Sequence, residues 1–243
     1  MPSNKRRVVV TGGSSGIGLA IVERFISKGD DVFNLDIQEE HTANFIHCDV
    51  ADHNKVRQCI SDISANGPID VLICNAGVHL SANIEETDEH TLQHLFNLNV
   101  KGAFSATQAS LPAMKNAGGS IIYIASDQAQ VAKANSFAYN LTKHALASMA
   151  KTTAIDYAQY NIRANALCPG TIDTPLYHNA INKYCARTGA NKQKIHAEEA
   201  SAQPLGRIGT SKEVAGFAYF LSTPDASFIT GTLQLMDGGY CAR

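Results

Sequence analysis

Tyr139 and Lys143 stand four residues apart at the opening of an alanine-rich stretch, Tyr139-Asn140-Leu141-Thr142-Lys143. On a helix, side chains at i and i+4 share one face. A free phenol, with a pKa of about 10, is a poor acid or base at neutral pH. A neighbouring ammonium favours the phenolate and draws that value down, so the pair can move a hydroxyl proton while hydride leaves the adjacent carbon. Thirteen residues before the tyrosine, Ser126 closes an apolar run, where its hydroxyl can bond the reacting oxygen and stabilise developing charge. Asn99, in Asn97-Leu98-Asn99-Val100, lies in a helical stretch although asparagine is a mediocre helix former. It is expected to interrupt that helix and hold a water that relays protons from Lys143. Read singly, these residues have plainer roles: a capping asparagine, a packed tyrosine, a snorkelling lysine.

Chemistry at these positions needs a scaffold that brings them to one edge. Seven short apolar runs alternate with amphipathic stretches: residues 8–10, 31–35, 44–47, 71–74, 120–124, 162–167 and 233–236. That alternation predicts an α/β fold, a doubly wound, seven-stranded parallel sheet with helices on both faces. Val71-Leu72-Ile73-Cys74 and Ile121-Ile122-Tyr123-Ile124 are continuous apolar runs, as strands buried on both faces should be. Ligands of such sheets bind outside the carboxyl ends of the strands, and Ser126 falls there. The chain reads as one domain over residues 1–243. The segment at about 176–203 is its one long departure from the alternation, read as a lid inserted after a strand.

The first run leads into Thr11-Gly12-Gly13-Ser14-Ser15-Gly16-Ile17-Gly18 and then a helix. Glycines permit a tight turn and close approach of backbone to a pyrophosphate, and the helix N-terminus supplies N–H groups and positive dipole. Asp36 closes the second strand about twenty residues on, where a carboxylate can accept from both adenosine ribose hydroxyls, with Ile37 beside it. A 2′-phosphate would meet that negative charge, and no Arg or Lys stands in the loop or directly after Asp36, which favours NAD(H). A solvated strand-end carboxylate is the plainer reading of Asp36 alone. Asp49-Val50 and Asn75-Ala76-Gly77 follow the next two strands on the same edge.

The 243 residues are 44% hydrophobic and 17% charged with a net charge of -2, and the only basic cluster is Lys5-Arg6-Arg7. Nucleic acid and membrane surfaces are therefore poor partners, and a small-molecule substrate is expected. No apolar run approaches the roughly 20 residues of a membrane span, and nothing resembles a targeting segment, so the cytoplasm is the expected location. The six cysteines include no Cys-x-x-Cys and read as reduced, mostly buried thiols. His90 and His94 share a helix face, but no third ligand is indicated and no metal is expected.

Taken together, the Thr-Gly-x-x-x-Gly-Ile-Gly loop at 11–18, Asn75-Ala76-Gly77, Asn99, Ser126, Tyr-x-x-x-Lys at 139–143 and Pro169-Gly170 resemble the short-chain dehydrogenase/reductase family. The resemblance runs down to Asp237-Gly238-Gly239. It implies a Rossmann fold and a catalytic tetrad of Asn99, Ser126, Tyr139 and Lys143, with Lys143 also binding the nicotinamide ribose. It further implies Pro169, Gly170, Ile172 and Thr174 along the nicotinamide, Asp49 and Val50 at the adenine, and a homotetramer. Cys74 stands where many relatives have a second asparagine, and Thr142 where serine is common; neither empties a catalytic role.

The expected reaction is hydride transfer between NAD(H) and a secondary alcohol or ketone. The lid carries Lys183, Arg187, Lys192 and Lys194, and Lys133 lies between Ser126 and Tyr139. Gln128, Lys133 and Arg187 are the candidate substrate contacts, cations that could recognise a carboxylate or phosphate. Solvated lid helices are the plainer reading. The run Cys168 to Pro175 with its long lid is similar to relatives acting on hydroxy acids and sugar acids, including 3-hydroxybutyrate dehydrogenases. Two alternatives stand beside these: a 3-oxoacyl-(acyl-carrier-protein) reductase, against which Asp36 argues because such relatives usually take NADPH, and a catalytically idle NAD-binding sensor. A methyltransferase would share the glycine loop but has no use for the Tyr139 and Lys143 pair.

Overall fold

A computed structural model describes residues 5–39 and 43–242; the ends of the expected domain, residues 1–4 and 243, lie outside the described residues. The strands are β1 (Arg7–Thr11), β2 (Asp31–Asp36), β3 (Asn44–His47), β4 (Val71–Cys74), β5 (Gly119–Ile124), β6 (Ile162–Pro169), β7 (Ile172–Asp173), β8 (Gly209–Thr210) and β9 (Leu233–Met236). The α-helices are α1 (Gly16–Ser27), α2 (His53–Ser64), α3 (Glu89–Leu95), α4 (Gly102–Met114), α5 (Phe137–Tyr157), α6 (Pro175–Thr188), α7 (Lys192–Ala202) and α8 (Ser211–Leu221).

Seven strands form one sheet in the order β3-β2-β1-β4-β5-β6-β9, all neighbours parallel. All seven apolar runs of the sequence are its strands. Because strand side chains alternate, Val8 and Val10 enter one core with Phe25, Ile73, Val214 and Leu221, beneath α1 and α8. Val9 enters the opposite core with Ile60, Leu72, Met114, Leu146 and Ala150, beneath α2, α4 and α5. Burying each such aliphatic side chain contributes roughly 1.5–3 kcal/mol. The basic N-terminal cluster is partly structural: Arg6 donates twice to Asp30, at 2.9 and 2.7 Å, and its guanidinium lies over the Tyr219 ring.

Strand order reverses at β1: the chain runs outward to β2 and β3, then crosses to β4 on the other side. The carboxyl ends of β1 and β4 therefore diverge into a crevice, where doubly wound sheets bind ligands. The second departure from simple alternation is the segment after β6. Its ends are clamped by the short parallel pair β7 and β8, which the sequence did not reveal, with Ile172 opposite Gly209. Between them the expected lid is two helices, α6 and α7, separated at Gly189, whose φ of +71° suits glycine. Only Ile181 of α6 and no residue of α7 is buried. No described helix is long and apolar enough to cross a membrane.

Candidate active site

One cleft of about 710 Å³ runs along the carboxyl edge of the sheet from Asp36 past Tyr139 to the lid. At its nucleotide end, Gly12 takes a φ of +68°, and a Cβ on Gly18 would lie 1.9 Å from the Gly12 carbonyl oxygen, so only glycine permits this loop-to-helix packing. Asn75 locks the turn by donating to the carbonyls of Thr11 and Gly12, at 3.1 and 2.8 Å. Ser15 is the N-cap of α1 but makes no side-chain cap, leaving first-turn N–H groups without that partner. Unpartnered amides at a helix N-terminus suit a pyrophosphate.

Gly12, Ser15, Gly16, Ile17 and Gly18 line the cleft; Ser14 does not. Its N–H donates to Asp36 Oδ2 at 2.9 Å and its hydroxyl to the Gln38 carbonyl, so it braces the loop against the end of β2. Asp36 Oδ1 accepts from the Ile37 and Gln38 N–H groups, at 2.7 and 3.1 Å. Asp36, Ile37, Asp49, Val50, Asn75, Ala76, Gly77, Pro169, Gly170, Ile172 and Thr174 all line the cleft.

At the chemical end, β5 delivers Ser126 and the start of α5 delivers Tyr139 and Lys143. Lys143 is buried, with Nζ 2.8 Å from the Ile124 carbonyl and 5.4 Å from the centre of the Tyr139 ring. Burial lowers its pKa to about 8. Contrary to the expectation for the phenol, Tyr139 is held above its ordinary value. Burial is the main cause and the Asp127 carboxylate the next, opposed by a hydrogen bond with Ser126. In this geometry the ammonium is directed at the Ile124 carbonyl, and burial dominates the phenol.

Asn99 does interrupt its helix. Residues Phe96–Lys101 form a π-helical turn between α3 and α4, a widening often found at functional sites. The buried side chain accepts from the Val78 N–H at 2.9 Å and donates to the Val78 carbonyl and to Thr142 Oγ1, at 3.0 and 3.1 Å. Both its amide hydrogens are thereby committed. Asn99 is a clamp joining the β4 loop to α5, and Thr142 completes it by donating to the Tyr139 carbonyl at 2.8 Å.

Among the candidate substrate contacts, Gln128 and Lys133 line the cleft. Arg187 does not: it faces outward on α6, 3.9 Å from Glu86, because the helix turns its Leu176, Tyr177, Ala180, Ile181 and Tyr184 face to the cleft instead. Lys133 is already engaged, 3.0 Å from Asp127 Oδ2 and 4.6 Å from the centre of the Tyr240 ring.

Three side chains at this end escaped the sequence reading. His79, two residues beyond Asn75-Ala76-Gly77, lines the cleft with its ring edge-on to Tyr139 at 4.7 Å. Burial, reinforced by Lys133 and Lys143, lowers its pKa to about 4, so it faces the tyrosine uncharged. Asp127, directly after the serine, accepts from Ser126 Oγ at 2.7 Å. Tyr240 is brought over Lys133 by a turn in which Asp237 accepts from the Gly239 and Cys241 N–H groups. Position next to a motif was the available signal for all three, Tyr240 following directly on Asp237-Gly238-Gly239. All six cysteines are free, four of them buried, and the described residues contain no group of three side chains able to hold a metal.

Residues 12–241 match the family model described as Enoyl-(Acyl carrier protein) reductase. Bovine (Bos taurus) L-fucose dehydrogenase is 35% identical over 243 residues, spanning 96% of this chain and 88% of that protein. The ligand-free aldohexose dehydrogenase of Thermoplasma acidophilum superposes with a TM-score of 0.92 at 37% identity, covering 98% of this chain and 95% of that one. A structure of ElxO with NADP bound gives a TM-score of 0.89 at 29% identity, covering 98% and 100%. With a family model matching most of its length and relatives at 35% identity or more over nearly all of it, the chain belongs to the short-chain dehydrogenase/reductase family as an oxidoreductase acting on CH–OH groups.

Proposed function

We propose that this enzyme oxidises a secondary hydroxyl of an uncharged, polyhydroxylated substrate, an aldose or a close relative of one, with NAD as hydride acceptor. The charge balance of the cleft carries this reading. Its described lining holds two cations, and both are engaged, Lys133 by Asp127 and Lys143 by the Ile124 carbonyl. Against them stand Glu198 and Glu199 of the lid, with Gln128, Asn135 and Tyr184 as neutral donors and acceptors. A carboxylate or phosphate needs an unspent cation, whereas hydroxyls are served by groups that both donate and accept. The hydroxy-acid and sugar-acid readings therefore yield to a neutral sugar, the class named in the bovine and Thermoplasma relatives. The same acidic rim disfavours a 3-oxoacyl substrate on an anionic carrier arm. An idle sensor would have no use for Ser126, Tyr139 and Lys143 gathered in one cleft.

NAD fits the residues present. The glycine loop and the uncapped start of α1 would hold the pyrophosphate, Asp36 and Ile37 the adenosine ribose, Asp49 and Val50 the adenine, and the 169–174 strand end the nicotinamide. The two cations among the described lining residues are held at the chemical end by Asp127 and the Ile124 carbonyl, so among the described residues neither is free to offset a 2′-phosphate at Asp36. Bound NAD supplies the hydride acceptor. Tyr139 takes the hydroxyl proton, Ser126 bonds the reacting oxygen, and the lid excludes water. Exposed Phe104, Leu141, Ile155 and Phe228, together with the open edge of β9, support assembly into a homotetramer. Free thiols suit a reducing cytoplasm.

The test is NADH formation with L-fucose, a set of D-aldohexoses and a matched set of hydroxy acids and sugar acids. Turnover of the neutral sugars is expected; turnover confined to the acids overturns the substrate class. In parallel, Asp36→Ala should reduce the preference for NADH over NADPH about tenfold or more in thermal-shift titrations. An unchanged ratio overturns the choice of NAD.

A further inference from the structure

His79 lines the cleft beside the reacting groups, yet proton and hydride transfer leave it without a role. Its ring meets Tyr139 edge-on, with the centroids 4.7 Å apart. The backbone on both sides holds it there. Val78, the residue before it, is gripped by Asn99, which accepts from the Val78 N–H at 2.9 Å and donates to its carbonyl at 3.0 Å. Three residues further on, Ala82 bridges to Ser136 and accepts from the Phe137 N–H at 3.1 Å, where α5 begins. Since Asn99 also donates to Thr142 Oγ1, the loop carrying His79 is tied twice to the helix carrying Tyr139. A group fixed in this way loses little freedom when it binds a ligand.

Among the described residues, neither ring nitrogen of His79 has a hydrogen-bond partner, and neither is sealed from the cleft. Burial keeps the ring uncharged, so one nitrogen donates and the other accepts, which is what a hydroxyl group matches. Gln128, only 7% exposed, also lines the cleft. Its Oε1 is buried without a hydrogen bond, and among the described residues its Nε2 has no partner either. The Gln128 backbone is fixed beside the serine, its N–H 3.2 Å from Ser126 Oγ and 2.8 Å from Asp127 Oδ1. Two unspent polar groups thus flank the reacting pair, His79 at the tyrosine and Gln128 at the serine. Unpaired polar groups in a desolvated site favour a ligand that supplies the missing bonds.

We propose that His79, together with Gln128, reads a hydroxyl on the carbon next to the reacting one, so that the enzyme selects vicinal diols over simple secondary alcohols. This rests on the reading of the substrate as polyhydroxylated and names the hydroxyl that is recognised. Ser126 and Tyr139 fix the reacting oxygen; the oxygen of the neighbouring carbon lies close beside it, where the imidazole and the amide meet it. A site built to bond a hydroxyl rejects the analogue lacking it, because the site's own polar groups are then left unpaired.

The probes are each oxidised aldose against its 2-deoxy analogue, and 1,2-cyclohexanediol against cyclohexanol. Wild type should favour the hydroxylated member of each pair by about 100-fold or more in kcat/KM. His79→Phe keeps a ring of similar size beside Tyr139 without its nitrogens, and should shrink that ratio roughly tenfold. Gln128→Leu should shrink it by a smaller factor, and His79→Gln, which returns a donor and an acceptor, should recover part of it. Damage to the fold lowers both members of a pair together and leaves the ratio alone. A wild-type ratio near one, or a ratio that His79→Phe leaves unchanged, overturns the proposal. A diol preference without turnover of any aldose sinks the sugar reading and supports this one. If neither pair is turned over, the ratio is read from binding of the two cyclohexane probes to the NADH-loaded enzyme, followed by NADH fluorescence, and equal binding overturns the proposal.

Discussion

The nucleotide end of the cleft and its substrate end are held by different kinds of force. Around β1 and α1 backbone lies directly on backbone, pinned by buried side chains such as Asn75: a Cβ at Gly18 or Gly12 would fall 1.9 Å and 2.8 Å from main-chain atoms, and Val8, Val9 and Val10 beneath them are wholly buried. Around the lid the contacts are side chain on side chain. Tyr177 of α6 meets His196 of α7 through a 2.7 Å hydrogen bond, His178 meets Asp173 at 2.7 Å, and Thr171 donates to Glu199 at 2.9 Å. With one buried residue between them, α6 and α7 take little stability from burial. The nicotinamide cofactor that the family implies would thus be met by backbone that tolerates little replacement. The feature that varies, the substrate, is met by exchangeable side chains on a weakly buried platform.

This contrast can be broken at several points. Tyr139→Phe, at the junction of the two ends, should lower kcat by roughly 10³-fold while NADH binding survives, read by steady-state turnover beside a fluorescence titration. Retained turnover would remove the tyrosine from the chemistry. Gly18→Ala should cut nucleotide affinity on the order of 100-fold by displacing the α1 amides, and lower the melting temperature by roughly 5 °C. If affinity falls with an unchanged melting point, the loop is not the rigid backbone structure described. Tyr177→Phe should do the reverse at the lid, raising KM about fivefold through loss of one hydrogen bond while the melting temperature moves by less than about 2 °C. A large stability loss there would erase the distinction between the two ends.

The nucleotide end was legible because its constraints are local. A tight turn leaves glycine as its own signature, and a strand buried on both faces is an unbroken apolar run whatever it pairs with. The two lid helices were legible only as an irregular stretch, because their apolar positions are few and their hydrogen bonds join residues far apart in sequence. Arg187 illustrates the loss: its charge is visible in the sequence, but which way it points depends on which face of α6 packs over the cleft. The proton affinity of Tyr139 illustrates it again. The i, i+4 spacing placed the lysine beside the phenol, yet the direction of its shift came from burial and from Asp127, whose approach is a matter of how β5 meets α5.

The amino-acid sequence alone determined the seven strands and the placing of Ser126, Tyr139 and Lys143 at one carboxyl edge of the sheet, since these follow from periodicity and short-range spacing. Only the tertiary structure decided that the Asn99 side chain is committed to Val78 and Thr142, that Lys133 is spent on Asp127, that His79 lines the cleft and that Tyr240 covers Lys133. Charge balance and hydrogen-bond commitment are properties of atoms brought together across the fold, and no local pattern in a chain records them.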